Sequence, residues 1–97
     1  MGVYLRLTPA LRGVLHVLLD TDRGVWGLRI ASQTGRPTGT VYPILQRLED
    51  SGLVVSRWET GEDRRGPVRR LYELTDSGRT WAGEKLGRMD RKDQTHE

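Results

Sequence analysis

The residues best suited to recognition chemistry lie in the run 39–53. Its apolar residues recur at helical spacing and predict one buried face, made of Val41, Leu45 and Leu48 and joined by Ile44. The opposite face carries short or planar hydrogen-bonding side chains without a carboxylate: Thr40, Tyr42, Gln46 and Arg47. Acids appear only at the far end of the run, as Glu49 and Asp50. Such a face suits phosphate oxygens and base edges. An ordinary amphipathic helix with a solvated face fits this run alone equally well.

The distribution of charge indicates an anionic partner. The chain has 16 Lys and Arg against 13 Asp and Glu, a formal net charge of +3. Residues 23–47 contain four arginines and no acid, and residues 64–70 contain four more, again without an acid. Residues 84–97 are neutral, with four bases and four acids. Positive charge is therefore concentrated on two segments, as expected of a protein that binds a polyanion.

The side chains that enzymes and metal sites need are scarce. The chain has no cysteine, which excludes disulfides, thiolate chemistry and Cys-ligated zinc. Its two histidines, His16 and His96, are too far apart in sequence to predict a metal site. Lysine occurs only at Lys85 and Lys92, so there is no phosphate-binding loop with a lysine, and no serine has a histidine at recognisable spacing. We therefore expect no enzyme activity, no cofactor and no metal.

The length of 97 residues and an apolar fraction of 35% predict one domain with a modest core. A core this small leads us to expect additional stability from a partner subunit. The longest apolar run, 14–19, is interrupted by His16 and is far short of the roughly 18 residues that span a bilayer. No secretory signal is visible at the start of the sequence, so the expected location is the cytoplasm.

Three helices are predicted before residue 53. Thr8 is expected to cap the first helix, with Pro9 at its first position, and the helix to run to about Asp20 with a buried stripe of Leu11, Val14, Leu15 and Leu18. After a turn at 21–24, a second helix is predicted over about 25–34, ended by Gly35 and Pro37, with inward residues Trp26, Leu28, Ile30 and Ala31. Either Thr38 or Thr40 is expected to cap the third helix. With Thr38 as the cap, Pro43 would bend the first turn.

The periodicity changes after Gly52. Residues 53–58 and 68–74 are rich in β-formers and flank a polar loop at 59–67, which predicts a β-hairpin with a long tip. Thr75 is expected to cap a last helix over 76–90, which Gly78, Gly83 and Gly87 weaken. The tail from about Arg91 is expected to be frayed.

This order of elements is that of a winged helix-turn-helix domain: mainly α, with a three-helix core, a small antiparallel hairpin as the wing, and a C-terminal helix. Several motifs resemble those of the PadR-like transcriptional regulators over about residues 8–80. The run 39–53 resembles the recognition-helix signature of that family, and 26–30 (WGLRI) stands where the family shows an aromatic-Gly-aromatic pair. The segments 56–59, 66–75 and 78–79 resemble the wing and its entry into the final helix.

The resemblance implies a homodimeric DNA-binding repressor, often relieved by a small aromatic or drug-like ligand, acting on a pseudo-palindromic operator in double-stranded DNA. The expected DNA-binding residues are Thr38, Thr40, Tyr42, Pro43, Gln46, Arg47, Arg64, Arg65, Arg69 and Arg70. The expected dimer-interface residues are Leu11, Leu15, Leu18, Trp81, Leu86 and Met89. Trp26 and Trp58 are interpreted as packing residues. A winged-helix module for protein–protein contact, without specific DNA binding, is the alternative that the sequence leaves open.

Overall fold

The computed structural model describes residues 5–59 and 69–94, with side chains described up to Gly87. Within these ranges the chain forms four helices and a three-stranded antiparallel sheet, the fold class expected from the sequence. The elements follow one another as α1 Pro9–Leu19, β1 Val25–Trp26, α2 Gly27–Thr34, α3 Thr38–Asp50, β2 Val54–Trp58, β3 Arg70–Leu74 and α4 Asp76–Gln94.

Helix α1 begins and packs as the sequence predicts. The Thr8 side chain caps it, because its Oγ1 accepts a hydrogen bond from the Leu11 N–H at 3.1 Å, and Pro9 occupies the first helical position. The predicted stripe is buried and contributes Leu11, Val14, Leu15 and Leu18 to the core. Helices α1 and α3 and the sheet share this core. The apolar face of α3 therefore packs on the α1 stripe, and its opposite face is left toward solvent.

The start of the second helix differs from the prediction. Val25 and Trp26 form a short strand that pairs with β3, and the helix begins only at Gly27. Both residues favour extended backbone, and the extended Trp26 serves as the N-cap position of α2. Leu28 precedes the buried Ile30 by two residues, which places it about 200° away around the helix. It therefore lies on the outer face with 53% exposure, and its predicted inward position is wrong. Ile30 and Ala31 are buried as expected.

Helix α3 begins at Thr38, and Pro37 is its N-cap. Neither threonine caps it, because the carbonyl of Pro37 already accepts from the Thr40 and Val41 N–H groups at 2.9 and 3.1 Å. The chain enters α3 through Gly35, whose φ of 69° lies in the left-handed region that glycine adopts without steric cost. This tight α2–turn–α3 connection is the helix-turn-helix expected from the sequence.

The predicted hairpin is present, and β3 is the central strand of the sheet in the order β1-β3-β2. In the ladder Ser56 pairs with Tyr72 and Trp58 pairs with Arg70, so these four side chains lie on the face turned toward α3. Most of the predicted loop, residues 60–68, lies outside the described residues.

Helix α4 is capped by Thr75, as predicted: Thr75 Oγ1 accepts from the Gly78 N–H at 2.9 Å. The helix extends to Gln94, beyond the end expected near residue 90. Its first three turns pack back on the domain, and Ala82 and Leu86 join the core. No helix in the described ranges combines the length and apolar character that a bilayer crossing requires.

Candidate nucleic-acid interface

Helix α3 presents one exposed polar face, here called the recognition face. Its buried side consists of Val41, Leu45 and Leu48, each fully buried. The side chains predicted to meet DNA lie opposite: Thr40 is half-buried, and the others on the helix are exposed, namely Thr38, Tyr42, Pro43, Gln46 and Arg47. The structure therefore brings the six α3 residues singled out from the sequence onto one accessible surface.

The acids at the end of α3 are engaged inside the domain. Asp50 Oδ1 accepts a hydrogen bond from Gln46 Nε2 at 2.9 Å, one helical turn away. Glu49 Oε2 accepts from the Ser56 hydroxyl at 2.6 Å, and Glu49 Oε1 lies 3.5 Å from Arg70 Nη2. Each carboxylate has a partner within the domain, and residues 38–48 contain no acid, so the N-terminal part of the face carries no negative charge.

Tyr42 is placed by a glycine on the neighbouring helix. A Cβ atom built on Gly27 would lie only 2.6 Å from the ring atom Cζ of Tyr42 and 2.7 Å from its hydroxyl oxygen. The ring therefore lies directly on the backbone at the start of α2, and only a residue without a side chain allows it there. Tyr42 packs against the start of α2, and 41% of the residue stays exposed.

The wing arginines fall into three groups. Arg64 and Arg65 lie outside the described residues. Arg69 and Arg70 leave the hairpin on opposite faces. The Arg69 guanidinium stacks on the Trp26 ring, 3.8 Å from its centroid, on the face turned away from α3. Arg70 points to the α3 side, so these two neighbouring arginines do not form one patch.

Arg70 sits in a network that joins the hairpin to α3. Besides its approach to Glu49, its Nε donates to Ser56 Oγ at 2.9 Å. Its guanidinium also lies 5.9 Å from the Tyr72 ring centroid. Burial raises the pKa of the Tyr72 phenol, Arg70 opposes this rise, and Tyr42 and Glu49 add to it. Tyr72 therefore stays protonated at neutral pH.

Trp58 is 58% exposed, which excludes a place in the core but not packing at the base of the wing. It lies on the same face of the hairpin as Ser56, with the Arg70 guanidinium 5.6 Å from its ring centroid. Trp26, by contrast, packs partly buried against the core, as interpreted.

Most of the predicted dimer residues belong to the core of the single domain. Leu15 and Leu18 have no exposed surface, and Leu11 and Leu86 are 4% and 5% exposed, so a partner cannot rest on these side chains. The prediction is revised accordingly, because α4 folds back and closes the core that it was expected to share with a second subunit. Trp81 is partly buried against the core, and the Met89 side chain lies outside the described part.

The comparison with known proteins gives the family. A sequence model of the Transcriptional regulator PadR-like family matches residues 14–84, most of the chain. The chain belongs to this family. The matched span contains the recognition face, the sheet and the first turns of α4, so the resemblance found in the sequence is confirmed. The family consists of transcriptional regulators, which also agrees with the prediction that the chain is not an enzyme.

Among relatives, Transcriptional regulator Rv3488 of Mycobacterium tuberculosis is 38% identical in an alignment of 69 residues that covers 68% of this chain and 62% of the relative. Similar folds include a PadR family transcription regulator from Clostridium difficile R20291, with a TM-score of 0.72 and 24% identity over 87% of this chain and 91% of that one. A single-residue mutant of Lactococcus lactis ZitR has a TM-score of 0.73 and 20% identity over 99% of this chain and 62% of its own. These structures support the winged-helix fold.

Proposed function

We propose that this PadR-like regulator binds double-stranded DNA sequence-specifically, with α3 in the major groove and the wing, residues 59–68, on the flanking backbone. The observation that carries the proposal is the recognition face: polar, exposed, and free of acids except at its last turn, where both carboxylates are engaged internally. A surface that enters a DNA groove must carry few carboxylates, because an exposed carboxylate would be repelled by the DNA phosphates.

The residues of the recognition face divide by chemistry. Hydroxyl and amide groups at Thr38, Thr40, Tyr42 and Gln46, with the ring of Pro43, are suited to base edges and the groove wall. The Arg47 guanidinium forms no hydrogen bond or ion pair within the described part of the chain and is suited to a phosphate. Gln46 would exchange its bond to Asp50 for a base contact on binding.

The proposal includes a homodimeric repressor on a pseudo-palindromic operator, with a small aromatic ligand as inducer. A two-fold dimer presents two recognition helices to one side of the duplex, so the half-sites are expected about 10 bp apart. Selection from a random duplex pool tests this directly. Enrichment of one inverted repeat supports the proposal, whereas a protein–protein module without specific DNA binding would enrich no sequence.

The wing arginines should set the salt dependence of binding. Replacing Arg64 and Arg65 with alanine is expected to weaken binding to every sequence alike and to reduce the slope of log K against log salt by about 0.9 for each phosphate that is no longer neutralised. Titrations of a fluorescent duplex at several salt concentrations measure this slope. Replacing Arg69 alone with alanine is the comparison, and the slope should stay unchanged because the Arg69 guanidinium stacks on Trp26 within the domain. An unchanged slope in the Arg64 and Arg65 double variant would place both side chains away from the backbone.

Dimerisation is proposed to use α4, with Trp81 as the anchor. The ring borders an open groove with Leu53, Thr80 and Glu84. Its buried Nε1 has no hydrogen-bond partner among the described residues, and Lys85 Nζ lies 5.8 Å from the ring centroid. Trp81→Ala is expected to shift the protein toward monomer and to lower operator affinity. Sedimentation velocity at fixed protein concentration measures the shift. A variant that sediments as an intact dimer and binds like wild type would exclude Trp81 as the anchor.

A further inference from the structure

We infer that Arg70 is a positioning residue that fixes the hairpin to the last turn of α3, and that Glu49 withholds its guanidinium from DNA phosphates. This inference rests on the proposed DNA-binding function and deepens it. It also assigns Arg70 a role different from the phosphate contact that its charge alone suggests.

Two of the three guanidinium nitrogens of Arg70 have partners inside the domain. Nε donates to Ser56 Oγ on β2 at 2.9 Å, and Nη2 lies 3.5 Å from Glu49 Oε1 on α3. The Ser56 hydroxyl in turn donates to the other oxygen of Glu49 at 2.6 Å. The three side chains close a ring that joins α3, β2 and β3.

The ring stands where the two DNA-facing elements meet. Glu49 lies in the last turn of α3, three residues after Gln46 on the recognition face. Arg70 is the first residue of β3, directly after the segment that leads out of the wing. Tyr72 and Trp58 border the guanidinium, at 5.9 and 5.6 Å from their ring centroids. The ring is therefore placed to set the angle between α3 and the strand that follows the wing.

Arginine is required by this arrangement because its planar fork presents Nε and Nη2 in fixed directions. A lysine has one charged nitrogen on a flexible stem, so it cannot hold Ser56 and Glu49 with the same geometry. A phosphate contact, in contrast, depends mainly on the positive charge. Arg70→Lys thus separates the two roles.

The test measures salt slopes on a random-sequence duplex, together with affinity for the selected operator, for E49Q, R70Q, R70K and the double variant E49Q/R70Q. In wild-type background, R70Q is expected to leave the salt slope unchanged and to lower operator affinity by about tenfold, since the helix and wing lose their alignment. R70K is expected to behave like R70Q. E49Q releases the guanidinium to contact a phosphate, so the salt slope should become steeper by about 0.9. Adding R70Q should remove that increase in steepness.

The matched control is the ion pair on the opposite face of the same hairpin. Arg57 Nη2 lies 3.6 Å from Glu73 Oε1, and both residues alternate away from the α3 side. E73Q and R57Q make the same two charge changes on β3 and β2, and they should leave both the slope and the operator affinity within error of wild type.

If the salt slope were shallower by about 0.9 in R70Q and equal to the wild-type slope in R70K, Arg70 would be a phosphate contact. That result would overturn the inference. Equal effects of E49Q and E73Q on the slope would also overturn it, since they would reflect net charge alone. The slopes are measured on random-sequence DNA, so they decide the role of Arg70 even if selection yields no operator. Failure of the selection to yield an operator would count against the proposed function and not against the role of Arg70.

Discussion

Gly78→Ala is expected to destabilise the domain more than any surface substitution. The free energy of unfolding should fall by about 3 kcal/mol. A Cβ at this buried position would overlap the backbone carbonyl oxygen of Leu53, and it would lie 2.8 Å from the carbonyl carbon. The same oxygen accepts the Thr75 N–H at 3.0 Å, so it cannot move without breaking the junction between the sheet and α4. Thermal unfolding at fixed protein concentration should show a midpoint about 12–24 °C lower than wild type.

Gly83→Ala is the control for this prediction. Gly83 lies in the same helix, is exposed, and has no atom within 4 Å of the position that its Cβ would take. Here alanine only removes the conformational freedom that glycine has in the unfolded chain. The free energy of unfolding should therefore increase by up to about 1 kcal/mol, and the thermal midpoint should rise with it. Similar midpoints for the two variants would show that α4 does not approach Leu53 as closely as described.

Gly27→Ala is expected to damage DNA recognition while sparing the fold. The added methyl group would enter the Tyr42 ring, at 2.6 Å from Cζ. The atoms it meets are the far end of a rotatable side chain, so the ring swings away and the backbone stays in place. Losing the hydrogen bond of the Tyr42 hydroxyl in the groove, and leaving its DNA partner unpaired, should weaken operator binding about tenfold.

A double-mutant cycle with Tyr42→Ala identifies the cause. If Gly27 acts only by placing the ring, Gly27→Ala should have no further effect on operator affinity once Tyr42 is alanine. Thermal unfolding of the single variant should remain close to wild type, because α2 tolerates alanine in its first turn. Additive losses of affinity across the cycle would mean that the start of α2 contacts DNA independently of Tyr42.

Local signals in the sequence predicted most of the fold. Thr8, Pro9 and Thr75 mark helix starts through capping chemistry that is independent of the rest of the chain, and these starts were correct. The apolar periodicity of α1 and α3 likewise identified the buried faces. Local rules failed at Val25 and Trp26, where pairing with β3, nearly fifty residues later, decides the conformation.

The recognition face was predictable because one helix carries it, and helical spacing alone places its residues together. The partners of that face were not predictable, because they come from distant segments. Nothing local to Gly27 indicates the Tyr42 ring, and nothing local to Arg70 indicates Glu49. Likewise, the leucines of α1 signal burial without telling whether α4 or a second subunit covers them. The sequence shows where the arginines are. Only the tertiary structure shows which of them already have partners within the domain, as Arg70 does with Glu49.

The central claim is that α3 reads DNA as part of a two-fold assembly, and hydroxyl-radical footprinting on a duplex selected from the random pool tests it most directly. We expect two protected patches on one side of the duplex, centred about 10 bp apart, that disappear in Tyr42→Ala. Failure to select any sequence, or a single asymmetric patch at saturating protein, would contradict the claim.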